Sequence, residues 1–336
     1  MRNIFLSLLT VVTIVSCSGN KKKSESEIKT TSAITNKKVD KKMEKINFES
    51  NGVKLVGDVF YPENYEEGKK YPALIVTGAW TTVKEQMPKL YAQKLANKGF
   101  LTLVFDFRGW GESEGKDRYL EDPKRKTADI VAAAAYLKTR SDVATTEVGG
   151  VGVCASSGYM VEAYAENALN AVALVAPWLH NEEIATQVYG GEESVKNLLA
   201  LSDKAQKNFE ENGELQLITA ASTTDESSLM YQAPYYTEED RGLITAYDNK
   251  FNVASWRPWL TFDAIQYADK IPGKILFVES EAMALPQGSK AFKAIAGDKV
   301  ESVNLPNVTQ FDFYDKEGPV AEAVSSVASY MNKELK

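Results

Sequence analysis

The chain has 336 residues, with 39 basic and 46 acidic side chains and a net charge of −7. That balance argues against nucleic acid as a partner. One histidine and two cysteines are too few ligands for a transition-metal site, and nothing in the composition calls for a cofactor.

The first segment belongs to targeting rather than to the fold. Arg2 precedes an apolar run from Ile4 to Val15 that is too short to span a bilayer. The run ends in Ile14-Val15-Ser16-Cys17, which resembles a bacterial lipobox. The resemblance implies removal of residues 1–16 and lipidation of Cys17. An ordinary secretory signal that ends near a cysteine is the alternative. Acyl chains on Cys17 would hold the protein on a membrane of the bacterial cell envelope, with the outer membrane favoured over the inner. Residues 17–44 are rich in Lys, Ser and Thr without apolar periodicity, and read as a disordered tether. Its reach as a flexible coil is on the order of 30 Å. With Cys17 acylated, Cys154 is the remaining thiol and no intrachain disulfide can form.

From 45 to 336 the chain suits one large α/β domain. "KINFESNGVKLVGDVFYPEN" reads as two strands joined at Asn51-Gly52, a strong hairpin signal. "YPALIVTG" and "LTLVFDFRG" are continuous apolar runs, as expected of strands buried on both faces. Between them, Met87, Leu90, Tyr91 and Leu95 share one helical face, with Gly99 beyond its end. An alanine-rich helix in "KTADIVAAAAYLKTR" leads to the strand "EVGGVGV", and "LNAVALVAPW" gives a sixth strand. This alternation signals a mostly parallel sheet with helices on both faces. The rhythm breaks over about 180–262, too long for a simple connection and best read as an inserted helical cap. It resumes with "KILFVES", "QGSKAFKAIAG", "KVESVNLPN" and a last helix with Val320, Val324, Val327 and Met331 on one face.

A strand-turn-helix elbow forces its tip residue into a strained conformation and needs small residues on either side, hence the pattern G-x-nucleophile-x-G. Gly152-Val153-Cys154-Ala155-Ser156 satisfies it with Cys154 at the tip, and a second register would make Ser156 the nucleophile. The strand runs directly into Cys154, which favours the first. The start of a helix at Ala155 would favour the thiolate. A buried structural cysteine beside a tight turn is the plain alternative.

Taken with "DFRGWGESEG" and "VAPWL", these segments resemble the dienelactone-hydrolase-like and X-Pro-dipeptidyl-peptidase-like branch of the α/β hydrolases, in order from about Lys45 to the C-terminus. The resemblance implies an α/β-hydrolase fold. It also implies an oxyanion hole built from the backbone N–H of Ala155 and that of Ala79 or Trp80. The spacing of Gly109, Gly111 and Gly115 does not suit a dinucleotide loop.

The family's acid follows the seventh strand. Counting back from Pro286 lands there on Ala282, with Glu281 adjacent as candidate acid and Glu279 close by. At the family's histidine position, in "VTQFDFYD", stands Gln310, which cannot take a proton. His180, just after the sixth strand, is the substitute candidate base, with Glu182 or Glu183 to orient it; a histidine in a cap loop is otherwise solvated or hydrogen-bonded locally. In the cap, Tyr235, Tyr236, Trp256 and Trp259 offer a surface for an organic ligand or simply pack the cap down, as Tyr231 also could. Arg241 and Arg257 would meet a carboxylate or form structural ion pairs.

The expected function is therefore a membrane-tethered hydrolase of a small-molecule ester, thioester, lactone or related acyl bond, acting through Cys154. The alternative is a non-catalytic binding protein of the same fold.

Overall fold

The structure, a computed structural model, describes residues 42–335. The expected signal peptide 1–16, the lipidation site Cys17 and the tether up to residue 41 lie outside the described residues. Within them, no helix is long and apolar enough to cross a membrane.

The hairpin comes first. Strands β1 (Met43–Ser50) and β2 (Val53–Phe60) pair antiparallel, with Ser50 opposite Val53. Asn51 and Gly52 both take positive φ, 49° and 75°, as a two-residue turn of the expected type requires. The first strand begins at Met43, two residues inside the stretch read as tether. The sheet continues with β3 (Tyr71–Thr77), β4 (Leu101–Phe105), β5 (Val143–Val153), β6 (Ala171–Val175), β7 (Ile275–Glu279) and β8 (Val300–Asn304). Its spatial order is β1-β2-β4-β3-β5-β6-β7-β8. Strand β2 runs antiparallel to both neighbours, and β4 through β8 are parallel.

Helices cover both faces, which is why the inner strands read as unbroken apolar runs. Helices α1 (Met87–Ala96) and α10 (Glu317–Glu334) pack together, and so do α2 (Pro123–Thr139) and α3 (Ser156–Ala165). Neighbouring residues of a strand point to opposite faces. In β5, Gly149 lies against Met331 of α10 and Gly150 against Met160 of α3, which puts the two helix pairs on opposite sides. Met87, Tyr91 and Leu95 of α1 and all four apolar residues expected on the face of α10 are buried.

The sheet is interrupted between β6 and β7. This insertion carries α4 (Glu182–Val188), α5 (Glu192–Asn212), α6 (Pro234–Thr237) and α7 (Trp256–Leu260). Two short ribbons join them: Leu217–Thr219 against Lys250–Asn252, and Ala221–Ser222 against Met230–Tyr231. Helix α5 packs on α7 and on the turn before it. After β7 come α8 (Pro286–Ala296), β8, and the single turn α9 (Asp312–Asp315) that leads into α10.

Candidate active site

Strand β5 ends in a sharp turn with Cys154 at its tip. Its φ of 57° is left-handed, a conformation that costs a non-glycine residue roughly 1–2 kcal/mol. The surrounding backbone holds it there. The Cys154 N–H donates to the Val175 carbonyl (3.0 Å), while Ser157 and Trp178 donate theirs to the Cys154 carbonyl (2.9 and 3.1 Å). Gly152 must be glycine, because a Cβ would stand 2.9 Å from the Ser156 carbonyl oxygen. Ser156, tip of the other register, is fully buried in the first turn of α3, and its hydroxyl donates to the Gly78 carbonyl.

Four groups converge on the Cys154 sulfur: the Tyr314 hydroxyl, the backbone N–H of Ala155, that of Trp80, and the Gln310 amide. Burial pushes the thiol pKa up, these contacts pull it down, and burial prevails. The thiol is thus not the acidified one that the start of a helix would favour, because removal from water outweighs the nearby N–H groups. Of the two residues considered for the second oxyanion donor, Trp80 has its N–H on the sulfur, whereas Ala79 uses its carbonyl to accept from the Thr82 N–H (3.3 Å) and hydroxyl (2.6 Å).

The loop that carries Trp80 is rigidly held. Thr81, a β-branched residue at φ 63°, is left-handed and therefore strained. Its N–H donates to the buried Glu121 carboxylate (3.3 Å) and its hydroxyl lies 3.1 Å from that of Tyr247. Three residues on, the Lys84 N–H donates to Asp106 Oδ1 (2.9 Å). The buried Lys84 ammonium bonds Asp106 (2.9 Å), Glu112 (2.6 Å) and Glu85 (2.6 Å). Burial alone would lower the lysine pKa, but the three carboxylates together hold it above the ordinary value. Asp106 opens the "DFRGWGESEG" segment, and Gly111 in it, at φ 44°, leaves no room for a Cβ beside the Asp106 carboxylate. The distinctive segment is thus a support under the loop that carries Trp80. Oxygens of Glu85, Asp106 and Glu112 lie within 4.8 Å of one another. The Lys84 ammonium contacts all three, so a cation already sits where a metal would.

Gln310, in the family's histidine position, has both ends of its amide engaged. Its oxygen accepts from the Ala284 N–H (3.0 Å), and Nε2 donates to the Ala176 carbonyl (3.0 Å) and the Tyr314 hydroxyl (3.2 Å). Tyr314 therefore accepts from Gln310 and directs its own proton to the sulfur. Sequence reasoning passed over Tyr314, although it stands in the same "VTQFDFYD" segment, four residues on and hence on the same side of a helical turn.

His180 is buried with both ring nitrogens occupied. Nε2 lies 2.8 Å from the Trp259 carbonyl, which can only accept, so Nε2 carries the proton. Nδ1 then accepts from the Trp178 indole N–H (3.2 Å). Burial pulls its pKa down to about 4, although the Trp259 carbonyl pulls the other way. His180 thus pins the cap to the turn after β6, and its lone pair is not available to Cys154. Glu281 is exposed and accepts from the Asn307 N–H (2.9 Å), which lowers its pKa. Glu279 pairs with Lys293. Arg241 pairs with Asp315 (2.6 Å), and Arg257 with Asp203.

Cys154 and Ala155 form part of the wall of a cavity of about 270 Å³ that, apart from Gln310, is otherwise aromatic and apolar. Of the cap aromatics, Tyr236 and Trp259 line it. Trp256 instead packs edge-on against Trp80 and Phe251, and Tyr235 against Tyr236 and Tyr314. Tyr231 is exposed. Trp80, Ala284 and Gln310 also line it, together with Trp178, Tyr189, Leu229, Met230, Phe311 and Tyr314, six residues that sequence reasoning did not name as ligand contacts. No aspartate, glutamate or histidine lies among the lining residues.

Comparison with known proteins gives the family and the fold. Residues 51–270 match the X-Pro dipeptidyl-peptidase (S15) family, and the chain belongs to that family. The uncharacterized protein YcjY of Escherichia coli K12 is 28% identical over 297 residues, which span 84% of this chain and 95% of YcjY. The crystal structure of the hypothetical protein PA2218 from Pseudomonas aeruginosa superposes with a TM-score of 0.77 at 23% identity, covering 88% of this chain and 94% of PA2218. The α/β hydrolase GrgF from Penicillium sp. sh18 gives a TM-score of 0.73 at 17% identity, with 87% and 99% of the two chains covered. The fold is that of the α/β hydrolases, and the chain is an α/β hydrolase.

Proposed function

We propose that this hydrolase cleaves acyl bonds with good leaving groups, thioesters first and activated esters or lactones next, through an acyl-enzyme on Cys154. The observation that carries the reading is a thiol at a strained elbow, on the wall of an apolar cavity, with two backbone N–H groups directed at it. When the sulfur forms an acyl bond, negative charge develops on the substrate carbonyl oxygen, and the N–H groups of Ala155 and Trp80 are the donors at hand to stabilise it. A serine in this place would be nearly inert without a base, whereas a thiol, even with its pKa raised by burial, ionises far more readily than a hydroxyl.

The leaving group follows from what the site lacks. A peptide amine or a simple alkoxide departs only when it is given a proton, and no histidine faces the sulfur to supply one. A thiolate, whose conjugate acid has a pKa of about 8.5, departs unaided. The S15 family takes its name from peptidases, but this site favours thioester over peptide. The cavity lies at the low end of the roughly 300–1,000 Å³ typical of small-molecule sites, and its aromatic walls suit a short alkyl or aryl acyl group. We further propose that Cys17 is lipidated and that the enzyme works tethered to the cell envelope.

The test is an aryl thioester assay with mass spectrometry of the protein. Wild type should release aryl thiolate and carry an acyl mass on Cys154. Cys154→Ala should abolish both, and Cys154→Ser should lower the rate at least about 100-fold. Unchanged turnover in Cys154→Ala would sink the reading. The locked Gln310 amide favours a second reading, ligand binding without chemistry. That reading predicts binding of the same thioester with no acyl mass in any variant.

A further inference from the structure

We propose that the acyl group on Cys154 is passed to a second thiol faster than it is lost to water, so that the protein exchanges acyl groups between thiols. The inference rests on the acyl-enzyme proposed above and concerns its fate.

Hydrolysis of an acyl-cysteine requires a group to take a proton from water, whose pKa is 15.7 in bulk. The polar side chains of the cavity are Tyr189, Tyr236, Gln310 and Tyr314, besides Cys154 and the indoles. The three tyrosines and Gln310 are already engaged, and the Trp80 indole N–H, buried without a partner, is a donor that cannot serve as a base. The Tyr189 hydroxyl accepts from the Trp259 indole (2.8 Å), and that of Tyr236 donates to the Trp80 carbonyl (3.2 Å). The Gln310 oxygen accepts from Ala284, and Tyr314 accepts from Gln310. Burial holds all three phenols well above their ordinary pKa, so none serves as a base near neutrality. The apolar walls formed by Trp80, Trp178, Trp259, Leu229 and Met230 also make a poor home for water.

A thiol needs no such base, since it is already a few per cent thiolate at neutral pH. The two half-reactions are then the same step run in opposite directions. In the first, the Cys154 thiolate attacks R–CO–S–R′, the C–S bond to R′ breaks, and R′–S⁻ leaves. In the second, R″–S⁻ attacks the acyl-Cys154, the bond to Cys154 breaks, and R–CO–S–R″ leaves with the Cys154 thiolate restored. One C–S bond forms and one breaks in each step, no proton is gained or lost overall, and nothing is oxidised. The groups that face the sulfur as nucleophile face it again as leaving group.

The experiment uses the full-length chain in detergent, 4-nitrothiophenyl hexanoate as acyl donor and 2-mercaptoethanol as acceptor, with Cys154→Ala as the blank for uncatalysed exchange. The expected result is a burst of one equivalent of nitrothiophenolate per chain, followed by slow turnover. Mercaptoethanol should raise that turnover at least tenfold, in proportion to its thiolate concentration, with hexanoyl-mercaptoethanol as product. Peptide mapping separates an adduct on Cys154 from one on Cys17. A burst followed by turnover that mercaptoethanol leaves unchanged, with hexanoate as product, overturns thiol exchange and leaves the acyl-enzyme standing. Absence of any burst or Cys154 adduct overturns the acyl-enzyme itself.

Discussion

At the scale of single residues, the proposed chemistry turns on Cys154 and the groups around its sulfur. Gln310 and Tyr314 take the place of a base with a chain of donors that ends on the sulfur. Such a chain stabilises the thiolate without accepting its proton. A hydrogen bond to a charged group is worth about 1.5–3 kcal/mol, so Tyr314→Phe should raise the thiol pKa by about one to two units. Alkylation of Cys154 followed against pH checks this. The wild-type thiol should titrate above the ordinary value of about 8.5, and in Tyr314→Phe the rate at fixed pH should fall roughly tenfold or more. Equal titration in the two proteins would remove Tyr314 from the site.

At the scale of elements, two buried groups tie loops together and each gives a measurable consequence. Lys84 joins the loop that carries Trp80 to the segment after β4 through three carboxylates. Lys84→Met would leave buried Asp106 without its counter-charge, which costs roughly 3–5 kcal/mol. Denaturant unfolding should show that loss, and Asp106→Asn in the same background should recover part of it. His180 ties the cap to the turn after β6. Its folded pKa of about 4 lies below the unfolded value of about 6.5, so the unfolded chain binds a proton first. The stability from this group is full above about pH 6.5 and is lost as pH falls toward 4. That loss is on the order of 3 kcal/mol. His180→Leu should be less stable at neutral pH but show a correspondingly flatter decline over that window, as thermal melts at stepped pH would reveal. A parallel decline in both proteins would contradict the assignment.

At the scale of the whole molecule, the sheet order, the loop after β3 and the cap bring residues from Trp80 to Tyr314 around one sulfur. If Cys17 carries the lipid anchor, Cys17→Ser should move the protein from the membrane fraction to the soluble fraction without changing the rate at which Cys154 is acylated. Fractionation and the thioester assay on the same samples check both halves. A variant that stays with the membrane would overturn lipid anchoring at Cys17.

The sequence by itself determined the fold and the place of the elbow, because both rest on local rules. Apolar runs, helical spacing and glycine at turns depend on neighbours a few residues away. So the parallel sheet, the hairpin at Asn51-Gly52 and the elbow at Cys154 are all legible in it, as is the missing histidine at Gln310. What a side chain does in the site was decided only by tertiary structure, because ionisation and hydrogen bonding depend on groups distant in the chain. The thiol pKa is raised because folding removes the sulfur from water, against the trend expected at the start of a helix. His180, a candidate base in the sequence, is held by Trp178 and Trp259. Likewise Tyr236 and Trp259 line the cavity while Tyr235 and Trp256 support it. The four share one apolar, aromatic character in sequence, and only the direction of packing separates wall from support.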